Sequence, residues 1–221
     1  MIARLLLCFF SIIYCTTNTF AQQALPFAKE IEQFKIADSL QMPPKNAILF
    51  VGSSSFTKWK DVQNYFPSYP IINRGFGGST LLEVLMYAGN VIFPYNPKQI
   101  VVYCGENDLA ASDSITAEQV AYRFITLFDM IRKVWKDKPI AFVSIKPSPS
   151  RDKIRPKVIE ANKIIKAFLE TKINTAYIDV YSKMITPDGN PMPDIFIEDR
   201  LHMNAKGYAI WQKVMEPYLL K

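Results

Sequence analysis

Short apolar runs recur along the chain, separated by longer segments in which apolar residues follow helical spacing. Each short run has the length and the β-branched or aromatic content of a buried strand. The runs predict strands at 47–51 (AILFV), 70–74 (PIINR), 99–104 (QIVVYC), 140–145 (IAFVSI) and 175–180 (TAYIDV). The helical spacing predicts helices at about 27–40, 81–92, 117–135, 157–170 and 205–219. Thr116 and Gln119 have the spacing of a capping box at the start of the third of these helices.

This alternation of strands with helices predicts the fold class. Strands that are separated by helices pair in parallel through right-handed crossovers, which gives an α/β, three-layer α/β/α sandwich with a sheet of about five strands. The chain has 221 residues, of which 49% are hydrophobic, and it shows no internal repeat and no Gly/Ser linker. We therefore expect one domain with a full core.

The first 21 residues do not fit this domain. Arg4 is followed by the apolar run LLLCFFSII and then by a polar stretch that ends in small residues at Thr19 and Ala21. This pattern predicts a signal peptide over 1–21, cut after Ala21, so that the mature domain spans 22–221 and is secreted or periplasmic. A lipoprotein anchor at Cys15 is the alternative, but the bulky Tyr14 before it argues against processing there.

Removal of the signal peptide leaves Cys104 as the only cysteine, and the chain has a single histidine, His202. Cys104 ends an apolar run, so we expect a buried, unreactive thiol. One cysteine and one histidine cannot supply the usual zinc ligands, and no cofactor is expected.

The net charge is +6, or +5 without Arg4, and it is spread along the chain. No nucleic-acid-binding signature is present, and the apolar run at 5–13 is too short for a membrane span, so we expect neither a nucleic-acid partner nor a span. The basic stretch at 146–157 favours a solvated loop and helix start, and the alternative is a surface that attracts an acidic polymer or an anionic membrane. Lys146 and Arg151, at the end of the fourth strand, are also candidates for the rim of a pocket. The oligomeric state does not follow from the sequence.

Ligands bind beyond the carboxyl ends of the strands in a parallel α/β sheet, and four polar segments lie near such positions. They are GSSSF at 52–56, GFGGST at 75–80, GENDL at 105–109 and EDRLH at 198–202, just before the last helix. Together they offer a hydroxyl, a flexible glycine loop, a side-chain amide and an acid three residues before the histidine. Acyl transfer needs a nucleophile, a base oriented by an acid, and donors for an oxyanion.

Each segment also has a structural interpretation when it is taken alone. Serines before a helix are common N-caps, and glycines or Asn-Asp pairs after a strand are common in turns. These alternatives stay open for each segment, and it is the order of the four segments along one chain that favours chemistry.

The four segments resemble the blocks of the SGNH or GDSL-type serine hydrolases. That family carries, in this order, a Gly-x-Ser, a glycine loop introduced by Asn, a Gly-x-Asn-Asp and an Asp-x-x-His. The matches are Gly52-Ser53-Ser54, Asn73 to Gly78, Gly105 to Asp108, and Asp199 to His202, and the resemblance covers about residues 47–219.

The resemblance implies a flavodoxin-like SGNH hydrolase fold and a role for each matched residue. Ser54 would be the nucleophile, His202 the base and Asp199 the acid that orients it. The oxyanion hole would combine the backbone N–H groups of Ser54 and Gly78 with the side chain of Asn107. Two positions differ from the family pattern. Ser53 stands where many members carry Asp, and Arg200 stands where glycine is frequent.

The sequence thus predicts an exported carboxylic ester hydrolase that acts through an acyl-enzyme. The expected substrate is a small-molecule or carbohydrate ester, with acetyl or other short acyl groups favoured. The alternatives are an acylhydrolase of the lysophospholipase or thioesterase kind, and a catalytically silent carbohydrate-binding protein on the same fold.

Overall fold

The computed structural model of the protein describes residues 25–221. The predicted signal peptide, 1–21, lies outside the described residues and stays a prediction. No helix within 25–221 combines the length and the apolar character that crossing a membrane requires.

The described residues form a parallel sheet of five strands in the order β2-β1-β3-β4-β5. Each predicted strand is present, and its limits lie within two residues of those expected. The strands are β1 (Ile48–Gly52), β2 (Ile71–Gly75), β3 (Gln99–Tyr103), β4 (Ile140–Val143) and β5 (Thr175–Ile178). Because the order reverses between β1 and β3, a crevice opens between their carboxyl ends.

Helices cover both faces of the sheet, which confirms the predicted three-layer α/β/α sandwich. The helices are α1 (Ala28–Leu40), α2 (Ser54–Thr57), α3 (Val62–Tyr65), α4 (Leu81–Met86), α5 (Ala88–Val91), α6 (Glu106–Ala111), α7 (Ala117–Val134), α8 (Arg155–Glu170) and α9 (Ala205–Met215). Short 3-10 turns occupy Pro149–Ile154, Tyr181–Lys183, Pro193–Ile195 and Glu216–Tyr218.

Two apolar cores form because successive strand residues point to opposite faces. In β1, Leu49 and Val51 pack into the core beneath α4, α7 and α8, whereas Ile48 and Phe50 pack into the core beneath α2, α3 and α9. The central strands β1, β3 and β4 are buried along their whole length. This double burial explains why their sequences read as continuous apolar runs rather than as an alternation.

The single helix predicted over 81–92 is wrong, because the chain breaks there into α4 and α5 at Tyr87. The Tyr87 hydroxyl donates to the Pro26 carbonyl, with the oxygens 2.6 Å apart, and the Phe93 N–H bonds to Ala88 with a five-residue spacing. The capping box at the start of α7 is confirmed, since Thr116 and Gln119 bond reciprocally. Hydrophobic spacing predicts the apolar face of a helix but not a local break in its backbone.

Gly52, the last residue of β1, lies directly against the backbone of β3. Its φ is +144°, and a Cβ at this position would lie 1.8 Å from the Tyr103 carbonyl oxygen. Any side chain would therefore push β1 and β3 apart.

We expect Gly52→Ala to lower the free energy of unfolding by at least about 3 kcal/mol, because the clash is with backbone that cannot rotate away. Urea unfolding followed by circular dichroism measures the loss. Gly89→Ala is the matched control: Gly89 lies in α5, and a methyl group there would meet nothing within 4 Å. That change should be neutral or should stabilise by up to about 1 kcal/mol. Equal stabilities of the two variants would contradict the argument.

Candidate active site

Ser54 lies where β1 ends and α2 begins, at the carboxyl edge of the sheet. The Ser53 N–H donates to the Tyr103 carbonyl over 3.1 Å, which fixes this turn against β3. Ser53 and Ser55 are buried, whereas Ser54 is partly exposed. Of the three consecutive serines, Ser54 is therefore the one whose hydroxyl an incoming molecule can reach.

His202 comes to Ser54 from the other end of the chain. Its Nε2 lies 3.0 Å from the Ser54 Oγ. The His202 carbonyl accepts from the Ile197 N–H over 2.8 Å, and a single bridge joins Phe196 to Met203. The segment that carries His202 is thus held by a few local hydrogen bonds rather than by a strand.

Asp199 holds the other side of the imidazole. Its Oδ2 lies 2.5 Å from the His202 Nδ1, and its Oδ1 accepts from the backbone N–H groups of His202 (2.8 Å) and Leu201 (2.9 Å). Burial alone would raise the pKa of Asp199, but the bonds from His202 and Leu201 lower it to about 2. The ionised carboxylate only accepts, so it selects the tautomer with the proton on Nδ1 and leaves Nε2 to accept from Ser54.

The glycine loop and the third segment meet opposite Ser54. Gly78 has a φ of +82°, the region that glycine adopts readily. The Asn107 Nδ2 donates to the Ser79 carbonyl over 3.0 Å, and the Ser79 hydroxyl donates to the Gly52 carbonyl over 3.2 Å. Ser79 therefore ties together the turn that carries Ser54, the glycine loop and the segment that carries Asn107.

Asn73 introduces the second segment, but its side chain bonds to the first segment. Its Nδ2 donates to the Phe56 carbonyl over 2.7 Å, and its Oδ1 accepts from the Gly75 N–H over 3.0 Å. Asn73 therefore fixes the end of β2 to α2, the helix that begins at Ser54.

Arg200 has a backbone conformation that explains why glycine is frequent at this position in the family. Its φ is +53°, in the left-handed region that glycine reaches without strain, and the residue is exposed. Its carbonyl accepts from the Ser150 N–H over 3.1 Å. The residue thus joins the segment that carries Asp199 to the loop that follows β4.

Cys104 is fully buried, and burial raises the pKa of its thiol well above the ordinary value. Its Sγ lies 3.5 Å from the Ser79 carbonyl oxygen. These observations agree with the expected unreactive thiol and place it under the site rather than in it.

The sequence pattern does not predict the part played by Asp108. The carboxylate is fully buried, where its Oδ2 accepts from the Leu81 N–H (2.9 Å) and its Oδ1 from the Arg123 Nη1 (2.7 Å). Asp108 therefore fastens the start of α4, just after the glycine loop, to α7. An acid directly after Asn107 is also typical of a turn, so only the tertiary contacts separate the two interpretations.

The solvated loop predicted over 146–157 is wrong at its beginning, because Lys146 and Ser148 are buried. Lys146 is also not at a pocket rim: its Nζ lies 2.7 Å from Glu106 Oε2 and 2.6 Å from the Ser148 Oγ. The sequence does contain a signal for this buried pair. An acidic residue follows the buried strand β3, a basic residue follows the buried strand β4, and the two strands are neighbours. Arg151 is only partly exposed and contacts Asn107.

The candidate site is open rather than enclosed. The side chain of Asp199 is 42% exposed and that of His202 is 15% exposed. A cavity of about 710 Å³ lies elsewhere: it is lined by residues between the end of β5 and α9, including Asp179 and Lys213, and not by Ser54. The contacts among Ser54, His202 and Asp199 place the candidate site at Ser54, because the residues of that cavity include no such arrangement.

The model of the GDSL-like Lipase/Acylhydrolase family matches residues 47–210, a range that contains all four polar segments. No curated protein sequence matches the chain significantly. Solved structures with the same fold include a GDSL-like lipase from Bacteroides thetaiotaomicron, at 18% identity and a TM-score of 0.73 over 85% of this chain and 96% of that one. They also include an acetylxylan esterase from Geobacillus stearothermophilus (15%, 0.62, covering 80% and 95%) and a lipase/acylhydrolase from Enterococcus faecalis (19%, 0.59, covering 79% and 97%).

We expect Asp108→Ala to lower the free energy of unfolding by about 3 kcal/mol, because it leaves the Leu81 N–H and the Arg123 guanidinium without their shared acceptor. Urea unfolding measures the change. Asp113→Ala is the matched control, since the Asp113–Lys153 pair is exposed (76% and 80%); its removal should leave the unfolding midpoint unchanged. An equal midpoint for Asp108→Ala would contradict the fastening role.

Proposed function

Because the chain belongs to the GDSL-like lipase/acylhydrolase family, we propose that it is a carboxylic ester hydrolase that forms an acyl-enzyme on Ser54. The observation that carries the proposal is the line of contacts from Asp199 through His202 to the Ser54 hydroxyl. A histidine that contacts both a carboxylate and a partly exposed serine has the arrangement that activates a hydroxyl.

In the acylation step, the Ser54 Oγ attacks the ester carbonyl carbon while His202 takes its proton on Nε2. Asp199 stabilises the imidazolium that forms. The carbonyl electrons move to oxygen, and the Ser54 N–H, the Gly78 N–H and the Asn107 side chain would bind that oxyanion. His202 then returns the proton to the leaving alcohol as the carbon–oxygen bond breaks.

In the deacylation step, water takes the place of the alcohol. His202 removes a proton from the water, whose oxygen attacks the acyl carbon through a second oxyanion. The Ser54–acyl bond breaks, Ser54 regains a proton from His202, and the acid leaves. His202 carries every proton that moves, and side-chain and backbone donors of this chain bind the oxyanion, so the proposed cycle needs no cofactor.

We also propose acetyl or other short acyl groups on carbohydrates as the substrate. The open candidate site supports this, because a bulky alcohol such as an oligosaccharide can reach the partly exposed Ser54, whereas a long acyl chain binds best in an enclosed apolar channel. The likeness to an acetylxylan esterase over 80% of the chain agrees with it. Export after removal of residues 1–21 would bring such an enzyme to extracellular polysaccharide.

We expect Ser54→Ala and His202→Ala each to lower kcat for p-nitrophenyl acetate at pH 8 by at least about 10³-fold, because either change removes the nucleophile or its base. Ser55→Ala is the matched control and should stay within a few-fold of the parent, since Ser55 is buried in α2. Mass spectrometry after fluorophosphonate treatment should place the label on Ser54. Parental activity in Ser54→Ala would refute the proposed mechanism.

We expect kcat/KM of p-nitrophenyl esters not to rise between acetyl and octanoyl, because an open site gives a long chain little apolar surface to bury. Acetate should also be released from acetylated xylo-oligosaccharides. A preference for octanoyl esters or for a lysophospholipid would favour the lysophospholipase alternative. Binding of these oligosaccharides with no turnover of any ester, unaltered in Ser54→Ala, would favour a silent binding protein.

A further inference from the structure

A buried cluster of charged side chains lies beside Asn107, between the carboxyl ends of β3 and β4. Glu106 accepts from the Lys146 Nζ (2.7 Å), the Ser148 Oγ (2.5 Å) and the Tyr103 hydroxyl (3.0 Å). The side chain of Lys146 is 0% exposed and that of Glu106 is 6% exposed. A cluster of this kind is costly to bury unless every group is paired, and here the carboxylate has three donors.

Two cations face this one carboxylate. Burial alone would raise the pKa of Glu106, but the charges of Lys146 and Arg151 and the bonds from Lys146 and Ser148 hold it below the ordinary value. Lys146 is in direct contact, whereas the Arg151 Nη1 is 3.9 Å from the Glu106 Oε1. Glu106 is therefore ionised, and it attracts Lys146 in direct contact and Arg151 across the longer distance.

The guanidinium of Arg151 bonds to the side-chain amide of Asn107. Its Nη1 donates to the Asn107 Oδ1 over 2.8 Å, while the Asn107 Nδ2 donates to the Ser79 carbonyl over 3.0 Å. A guanidinium has no acceptor, so it requires the amide oxygen on its own side and prevents the amide from turning over. One Nδ2 hydrogen is then taken by Ser79, and the second remains for another acceptor.

We propose that Arg151 is a positioning residue for the ester hydrolysis proposed above, on which this inference rests: it fixes and polarises the Asn107 amide so that Nδ2 can donate to the oxyanion. A cation on the amide oxygen draws electron density from the nitrogen and strengthens its N–H as a donor. The gain appears when negative charge develops on the substrate, so the effect falls on kcat rather than on KM.

The buried cluster explains why Arg151 holds this place. The Arg151 N–H donates to the Ser148 carbonyl over 2.9 Å, and Ser148 is itself fixed by Glu106 and Lys146. The side chain of Arg151 is only 23% exposed. The cluster thus supplies a rigid base for the arginine and holds its guanidinium next to Asn107.

The first experiment measures kcat and KM for p-nitrophenyl acetate in Arg151→Met and Arg151→Lys. We expect Arg151→Met to lower kcat on the order of tenfold to a hundredfold, which is less than loss of a whole oxyanion donor, with KM within about twofold. Arg151→Lys should recover part of the loss because it restores the charge. Arg155→Met is the matched control: that arginine is 28% exposed and pairs with Asp152 at 3.1 Å, away from Asn107.

The second experiment is a double-mutant cycle with Asn107→Ala. A residue that acts through Asn107 has nothing to act on once Asn107 is lost, so adding Arg151→Met to Asn107→Ala should lower kcat less than about twofold further. Multiplicative losses in the double variant would overturn the inference, because a general disturbance of the fold would act in both backgrounds. Thermal unfolding of every variant checks that each one folds.

Other outcomes separate this inference from the proposed function. A higher KM with unchanged kcat in Arg151→Met would overturn it in favour of a substrate contact. Parental kcat in Arg151→Met, with activity lost in Ser54→Ala, would overturn the positioning role alone. Parental activity in Ser54→Ala would overturn the proposed function and this inference with it.

Discussion

The close approach of the β1 and β3 backbones at Gly52 and Tyr103 is the constraint on which the candidate site depends. Because no side chain separates the two strands there, the Ser53 N–H reaches the Tyr103 carbonyl and the turn that carries Ser54 is fixed at the edge of the sheet. The same approach brings the end of β3, and therefore Asn107, beside the turn that carries Ser54. A parallel sheet whose strand order reverses at this point supplies the crevice.

The polar groups around the site form two supports that differ in kind. On the side of the glycine loop, Ser79 and Asp108 pair with backbone groups, so the loop is held by hydrogen bonds to neighbouring segments. On the side of β4, Glu106 and Lys146 form a buried ion pair, and the carboxylate of Glu106 accepts only from groups of the protein. The first support sets where backbone N–H groups point, and the second sets the electrostatic potential next to Asn107.

The apolar pattern predicted most of the fold because each strand and most helices bury a continuous face. It failed at Tyr87, where the backbone leaves the helical conformation although the apolar spacing continues. The matched blocks predicted which residues would lie together, and the structure brings Ser54, His202 and Asp199 into contact, whereas their roles remain proposals. The predicted exposure of Lys146 is wrong because a charged side chain suggests contact with solvent, and Glu106, which pairs with it, is 40 residues away in sequence.

The two halves of the proposed machinery are built on segments of very different regularity. Ser54, Gly78 and Asn107 follow the strands β1, β2 and β3 within a few residues, but Asp199 and His202 lie in a stretch that has only 3-10 turns and single bridges between β5 and α9. Such a stretch opens in a partial, sub-global unfolding event at a lower free energy than the sheet. If His202 and Ser54 act as proposed, heat would inactivate the protein by separating these two residues while the sheet is still intact, and the loss would be reversible on cooling.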